Sequence, residues 1–273
     1  MNIDKNAPIG VFDSGVGGLT VAREIMRNLP SEKIVYFGDT ARVPYGSKSQ
    51  DTVIRYSRQI THFLREQQVK AIVIACNTAS AFALETVKKE HDIPVLGVIG
   101  AGVKVAAQET RNKRVGVIGT VGTIGSGIHE HYLKELDPEI TVIGKACPLF
   151  CPLVEEGWLH DPVTVEVATR YLEELKEKEV DTLILGCTHY PLIRSTIGEV
   201  MGDGVRLVNP AYETALELKN MLSDTGMLRT VTTKEEFPYR FFVSDLADKF
   251  EDFANSILPY DVKRTQKINI EKY

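Results

Sequence analysis

Ala71-Ile72-Val73-Ile74-Ala75-Cys76-Asn77-Thr78 runs five small or branched apolar residues into a cysteine and two polar ones. An apolar run this short, rich in β-branched residues and without alternation, reads as a strand buried on both faces. The pattern recurs as Thr182-Leu183-Ile184-Leu185-Gly186-Cys187-Thr188-His189. A second echo lies upstream of each copy: Ile9-Gly10-Val11-Phe12-Asp13-Ser14-Gly15 resembles Val115-Gly116-Val117-Ile118-Gly119-Thr120-Val121. The offsets agree approximately, 106 residues from Ile9 to Val115 and 111 from Ala71 to Thr182.

Working outward, Ile34 to Phe37 is another buried-strand run. Thr52 to Gln67, Ala79 to Glu90, Thr164 to Lys178 and Tyr212 to Leu222 space their apolar residues as helices do. Strands alternating with helices predict an α/β fold of mostly parallel sheets covered on both sides. With the internal echo, the expectation is two pseudo-symmetric, doubly wound domains. The first spans residues 1–98 and is completed by 208–273; the second spans 99–207, with the boundary near Gly97 to Gly102. The last stretch, with a strand at Tyr239 to Ser244 and a helix at Leu246 to Ile257, is expected to pack against the first half.

The 273 residues carry a net charge of -5 and no basic stripe, so nucleic acid is not an expected partner. Lys263, Arg264 and Lys267 read as a solvated tail. No apolar run reaches the roughly 18 residues of a membrane span, and no membrane partner is expected. Met1 to Asn6 lacks the apolar stretch of a signal peptide. The expected compartment is the cytoplasm, where Cys76, Cys147, Cys151 and Cys187 stay reduced. That weighs against disulfides and towards catalysis or metal binding.

In open α/β sheets, ligands sit beyond the carboxyl ends of the strands. Cys76 and Cys187 both fall there, each expected before a helix whose N-terminus favours a thiolate. A single cysteine in such a run is ordinarily an inert small hydrophobe. Two in matching polar contexts read instead as a pair facing one cleft. Opposed thiols suit inversion of a carbon centre: a thiolate removes a proton from one face while a thiol returns one to the other. Asp13 and His189, each near a strand end, are candidates to deprotonate or orient the neighbouring cysteine.

Other motifs read more blandly. Phe12 to Thr20 lacks the Gly-Lys-Ser/Thr of a P-loop and is a tight turn into a helix, with Asp13 and Ser14 expected to cap it. Gly116 to Gly125 spaces its glycines every three residues, unlike a dinucleotide fingerprint, and reads as a second anion-friendly turn. Cys147 and Cys151 find no second ligand pair at zinc spacing, so a structural role is expected and no metal. His129 and His131 are expected at the surface, and Pro44-Tyr45-Gly46 is a turn.

Taken together, Asp13-Ser14-Gly15-Val16-Gly17-Gly18, Pro44-Tyr45-Gly46, Ala75-Cys76-Asn77-Thr78-Ala79-Ser80 and Gly186-Cys187-Thr188-His189-Tyr190-Pro191 resemble the bacterial glutamate racemases, from Ile9 to about Phe253. The resemblance implies two pseudo-symmetric α/β domains with the active site at their interface. It implies glutamate as the small-molecule substrate, D-glutamate supply for peptidoglycan, and neither pyridoxal phosphate nor any other cofactor or metal. Cys76 and Cys187 match the two catalytic bases, acting on D- and L-glutamate respectively. Asp13, Ser14, Tyr45, Gly46, Asn77, Thr78, Thr188 and His189 match positions that bind substrate or support the bases, and Glu155 an auxiliary acid. A homodimer is one assembly open to it. Asn209-Pro210 departs from the family pattern of an acidic and a small hydroxyl residue, and Cys151 replaces an apolar one. Both departures bear on cleft edges or subunit contacts.

Three rivals remain open. An aspartate racemase would use a similar cysteine pair and differ in substrate. A nucleotide-binding module would use the two glycine-rich turns. A Cys–His hydrolase built on Cys187 and His189 would leave Cys76 without a role.

Overall fold

The structure, a computed structural model, describes residues 4–230 and 238–273; Met1 to Ile3, part of the signal-peptide reading, lie outside that range. The first half of the chain runs β1 (Ile9–Asp13), α1 (Leu19–Asn28), β2 (Ile34–Gly38), α2 (Gln50–Glu66), β3 (Ala71–Ile74), α3 (Asn77–Glu90) and β4 (Val95–Gly97). It continues through α4 (Val98–Glu109), β5 (Arg114–Gly119), α5 (Val121–Gly125), α6 (Ile128–Leu136), β6 (Thr141–Ala146), α7 (Phe150–Glu155) and α8 (Pro162–Glu177). After β7 (Thr182–Gly186) come α9 (Arg194–Met201), β8 (Arg206–Val208), α10 (Pro210–Asp224), β9 (Tyr239–Val243), α11 (Ala247–Ile257) and β10 (Thr265–Lys267).

Two sheets result, ordered β10-β9-β2-β1-β3-β4 and β6-β5-β7-β8, with parallel pairing throughout. The block β2-β1-β3-β4 has the same order as β6-β5-β7-β8. This is the physical basis of the sequence echo: β1 corresponds to β5 and β3 to β7, and the two cysteines come directly after equivalent strands. The chain after β8 returns to the first sheet, where β9 pairs with β2 in the register Ile34 to Tyr239.

Burial tracks the alternation of side chains along each strand. On one face of the first sheet Ile9, Val11, Tyr36 and Val73 pack with residues of α1, α10 and α11. On the other, Phe12, Phe37, Ile72 and Ile74 pack with residues of α2 and α3. The second sheet repeats the plan, with Ile118, Leu183 and Leu185 under α8 and α9, and Val115, Val117 and Ile184 under α4 and α6. Helix α10 packs on both α1 and α4 and so spans the two sheets. Asn209 caps it, its Oδ1 accepting from the Ala211 N–H at 3.1 Å, with Pro210 at the first helical position. The unexpected Asn209-Pro210 pair is thus a helix start.

His129 departs from the surface expectation. It is only 4% exposed, and a methyl group added at Gly186 would meet its Nε2 at 3.6 Å. Burial pushes its pKa down to about 4, so the ring is neutral. Helix α6 packs against α4, which turns His129 inward, while His131 faces water beside Glu135 at 3.4 Å.

The fold generates one stability expectation. Phe63 of α2 stacks on Phe37, Phe242 and Tyr273 at centroid distances of 5.3, 5.1 and 5.4 Å, tying the C-terminal return to the first sheet. Phe63→Ala is expected to cost about 3–5 kcal/mol in urea unfolding. A loss below about 1 kcal/mol would show that the returning segment is not anchored there.

Candidate active site

The carboxyl ends of β1, β3, β5 and β7 bring together the Asp13, Cys76, Thr120 and Cys187 turns. The halves meet there at very short range. A methyl group added at Gly17 would lie 2.4 Å from Thr188 Oγ1 and 2.5 Å from His189 Nδ1. One at Gly46 would lie 2.5 Å from Thr120 Cβ. Thr20 Oγ1 donates to the Thr188 carbonyl at 2.9 Å, and Thr78 Oγ1 lies 2.9 and 3.0 Å from Thr120 Oγ1 and Thr123 Oγ1. In the second glycine-rich turn a methyl group added at Gly122 would lie 2.9 Å from the Gly46 carbonyl oxygen, so glycines of both turns permit protein–protein approach, which weakens the nucleotide-binding reading.

Asp13 closes its own turn. Its Oδ2 accepts from the Gly15 N–H at 2.8 Å, and α1 starts after Gly18 with no side-chain cap, contrary to the expected capping by Asp13 and Ser14. Asp13 Oδ1 and Asn77 Oδ1 are buried and have no hydrogen-bond partner among the described residues. Desolvation raises the Asp13 pKa, opposed by the charge of His189 and by the N–H groups of the turn.

Cys76 is the N-cap of α3, its sulfur accepting from the Ala79 N–H at 3.4 Å. The cap does not make it the expected thiolate. Burial, and then the Asp13 carboxylate, push its pKa up to about 12 and outweigh the Ala79 N–H and the Ser14 hydroxyl. The charge of Cys187 is also close enough to raise it.

Cys187 lies in a different setting. A turn and a 3-10 segment, Tyr190–Ile193, separate it from α9, so no helix N-terminus adjoins it directly. Its Sγ sits 3.7 Å from His189 Nδ1, and His189 Nε2 sits 2.8 Å from Glu155 Oε1. Two residues of separation does not prevent contact, because the turn aims both side chains the same way. Burial opposes the imidazolium, yet Cys187 and Glu155 together hold His189 up at about 10. The Cys151 sulfur, 3.5 Å away, and burial push Cys187 upward, with His189 pulling the other way.

Of the residues singled out in the sequence, Asp13, Ser14, Asn77, Thr78, Thr188, His189 and both cysteines converge here. Gly46 reaches the rim against Thr120. Tyr45 is buried, but its hydroxyl is taken by Asp39, which also binds Arg42 and Ser244. Asn77, Cys187, Thr188, Asn209 and Pro210 line a small cleft of about 10 Å³, room for little more than a water molecule. Sequence reasoning does not single out Thr120 or Thr123, and it assigns Cys151 to a cleft edge or subunit contact without linking it to Cys187. The first two are signalled only by equivalence to the Asp13 turn. Cys151 does not pair with Cys147, which is buried in the second half's core. Instead Cys151, Cys187 and His189 place three potential metal-ligating atoms within 4.8 Å of one another, a grouping that the spacing of Cys147 and Cys151 does not convey.

A model of the Asp/Glu/hydantoin racemase family matches residues 9–218. This chain belongs to that family. A glutamate racemase of Geobacter metallireducens is 49% identical over 263 residues, spanning 96% of this chain and 97% of that relative. The crystal structure of a glutamate racemase isoform from Bacillus anthracis superposes with a TM-score of 0.92 at 40% identity, covering 97% of this chain and 98% of that one. The Francisella tularensis glutamate racemase, solved in complex with D-glutamate, has a TM-score of 0.91 at 39% identity, covering 98% and 100%. The chain is an amino-acid racemase of the glutamate racemase type, with the doubly wound α/β architecture of these relatives. The hydrolase reading is set aside. No helix among the described residues is long and apolar enough to cross a membrane.

Burial first and the Asp13 charge second hold Cys76 as a thiol, so Asp13→Asn, which removes the second, is expected to lower the Cys76 pKa. Iodoacetamide labelling of Cys76, measured by peptide mass spectrometry at neutral pH, should then be faster than in the unaltered protein. Slower or equal labelling would contradict the electrostatic assignment.

Proposed function

We propose that this racemase interconverts L- and D-glutamate without a cofactor, by proton transfer at the α-carbon between Cys76 and Cys187. The carrying observation is that two buried thiols sit just past equivalent strands, each beside its own proton-accepting group, and lie close enough to influence one another. His189, its proton affinity raised by Cys187 and Glu155, takes the Cys187 proton. The resulting thiolate removes the α-proton of L-glutamate, and the Cys76 thiol delivers its proton to the opposite face. Asp13, a stronger base than an exposed carboxylate, does for Cys76 what His189 does for Cys187 when the reaction runs from D-glutamate.

The unpartnered Oδ1 atoms of Asp13 and Asn77 are acceptors suited to the substrate ammonium. The hydroxyls of Ser14, Thr78 and Thr188 and the N–H groups opening α3 suit its carboxylates. Tyr45 and Gly46 shape the rim, so Tyr45 acts through the position of its loop. The near-closed site implies that the two halves, divided near residues 98 and 208, part to admit substrate. The D-glutamate formed serves peptidoglycan assembly in the cytoplasm.

Cys76→Ala and Cys187→Ala should each lower racemisation by on the order of 10²–10⁴-fold, monitored by circular dichroism of glutamate. Each variant should still eliminate a leaving group from a β-substituted glutamate analogue of one hand only, opposite hands for the two variants. Full racemisation by either variant, or turnover confined to aspartate, would overturn the proposal.

A further inference from the structure

Cys151 is unused by the proposed reaction, yet its sulfur lies 3.5 Å from that of Cys187. The sulfur of Cys187 lies 3.7 Å from His189 Nδ1, and all three ligand atoms fall within 4.8 Å of one another. With zinc–sulfur and zinc–nitrogen bonds of about 2.3 and 2.0–2.1 Å, tetrahedral coordination separates two thiolates by roughly 3.8 Å and a thiolate from an imidazole nitrogen by roughly 3.6 Å. Both observed edges lie within a few tenths of an ångström of that geometry.

The imidazole is already oriented for ligation. Glu155 Oε1 lies 2.8 Å from His189 Nε2, and a carboxylate can only accept, so Nε2 donates to Glu155 and Nδ1 faces the Cys187 sulfur, giving up its proton when a cation binds. A carboxylate behind a histidine is the arrangement that orients metal-binding imidazoles and raises their basicity. Two thiolates and an imidazole select a soft or borderline cation over magnesium or calcium. Three protein ligands leave one position for water or an anionic group.

We propose that Cys151, Cys187 and His189 form a binding site for a soft divalent cation, zinc foremost, with Glu155 orienting His189. Binding displaces the protons carried by the three ligand atoms. A metal-held Cys187 cannot shuttle a proton, so the site is inhibitory, and Cys151 is what completes it. The inference goes beyond the racemase reading, and its primary readout needs no turnover.

The test is titration of the reduced full-length protein with cobalt(II), and then displacement with zinc. The expected result is thiolate-to-cobalt charge-transfer absorption with tetrahedral ligand-field bands, erased by zinc. Cys151→Val should lose the two-thiolate spectrum, whereas Cys147→Ala should keep it. Glu155→Gln, which leaves the ligands in place, should weaken cobalt affinity by about tenfold. Zinc should also slow racemisation by the unaltered protein reversibly, with recovery on adding a chelator. Absence of the thiolate band, or cobalt binding by Cys151→Val as tight as by the unaltered protein, would overturn the site. A band present in protein that does not racemise glutamate would uphold the site and sink the racemase reading instead.

Discussion

The site depends on how closely the two halves approach. Gly17 leaves no room for a methyl group against Thr188 and His189, and Gly46 leaves none against Thr120. Hydroxyls of Thr20 and Thr78 then bridge the gap. Polar side chains from both sheets are thereby held in one nearly dry space, where charge interactions are stronger than in water and unpaired charges are costly. A side chain at either of these glycines would separate the strand ends by more than a hydrogen bond tolerates. Each cysteine has its proton-accepting partner within its own half, so the contact sets how the two pairs face one another across the substrate space.

The same dryness sets the resting protonation. Burial and then Asp13 raise Cys76, and the Cys151 sulfur and then burial raise Cys187, so both thiols hold their protons more tightly than exposed cysteines do. The two cysteines are not treated alike. Cys76 takes an N–H at the start of α3 and faces a carboxylate, whereas Cys187 faces an imidazole backed by Glu155 and a neighbouring thiol. Topological equivalence places the pair, and unequal neighbours tune it. A site built this way has two different proton reservoirs for the two directions of one reaction.

Much of this is legible in the sequence because buried parallel strands advertise themselves. Ile34, Ala71, Val115 and Thr182 open apolar runs that fall within one residue of the observed strand starts. Residues just past the carboxyl ends of neighbouring parallel strands are also close in space, so Asp13, Cys76 and Cys187 can be grouped from the sequence alone. Side-chain direction at a turn is harder to read. Cys151 meets Cys187 because of where α7 lies, which no spacing from residue 147 to 151 conveys. His129 turns inward for the same kind of reason. The Tyr45 hydroxyl bonds Asp39, six residues away, where the motif alone suggests substrate. Strand β10 carries Thr265, Gln266 and Lys267, an edge segment with no apolar signature.

The central claim is that two different groups serve the two faces of the α-carbon. Initial-rate racemisation of L-glutamate in deuterium oxide, analysed for isotope in substrate and product separately, tests it most directly. The account predicts D-glutamate carrying deuterium at Cα from the first turnovers, while the remaining L-glutamate keeps its proton. Equal labelling of the recovered substrate and the product, or a product that retains the original proton, would point to a single base and contradict it.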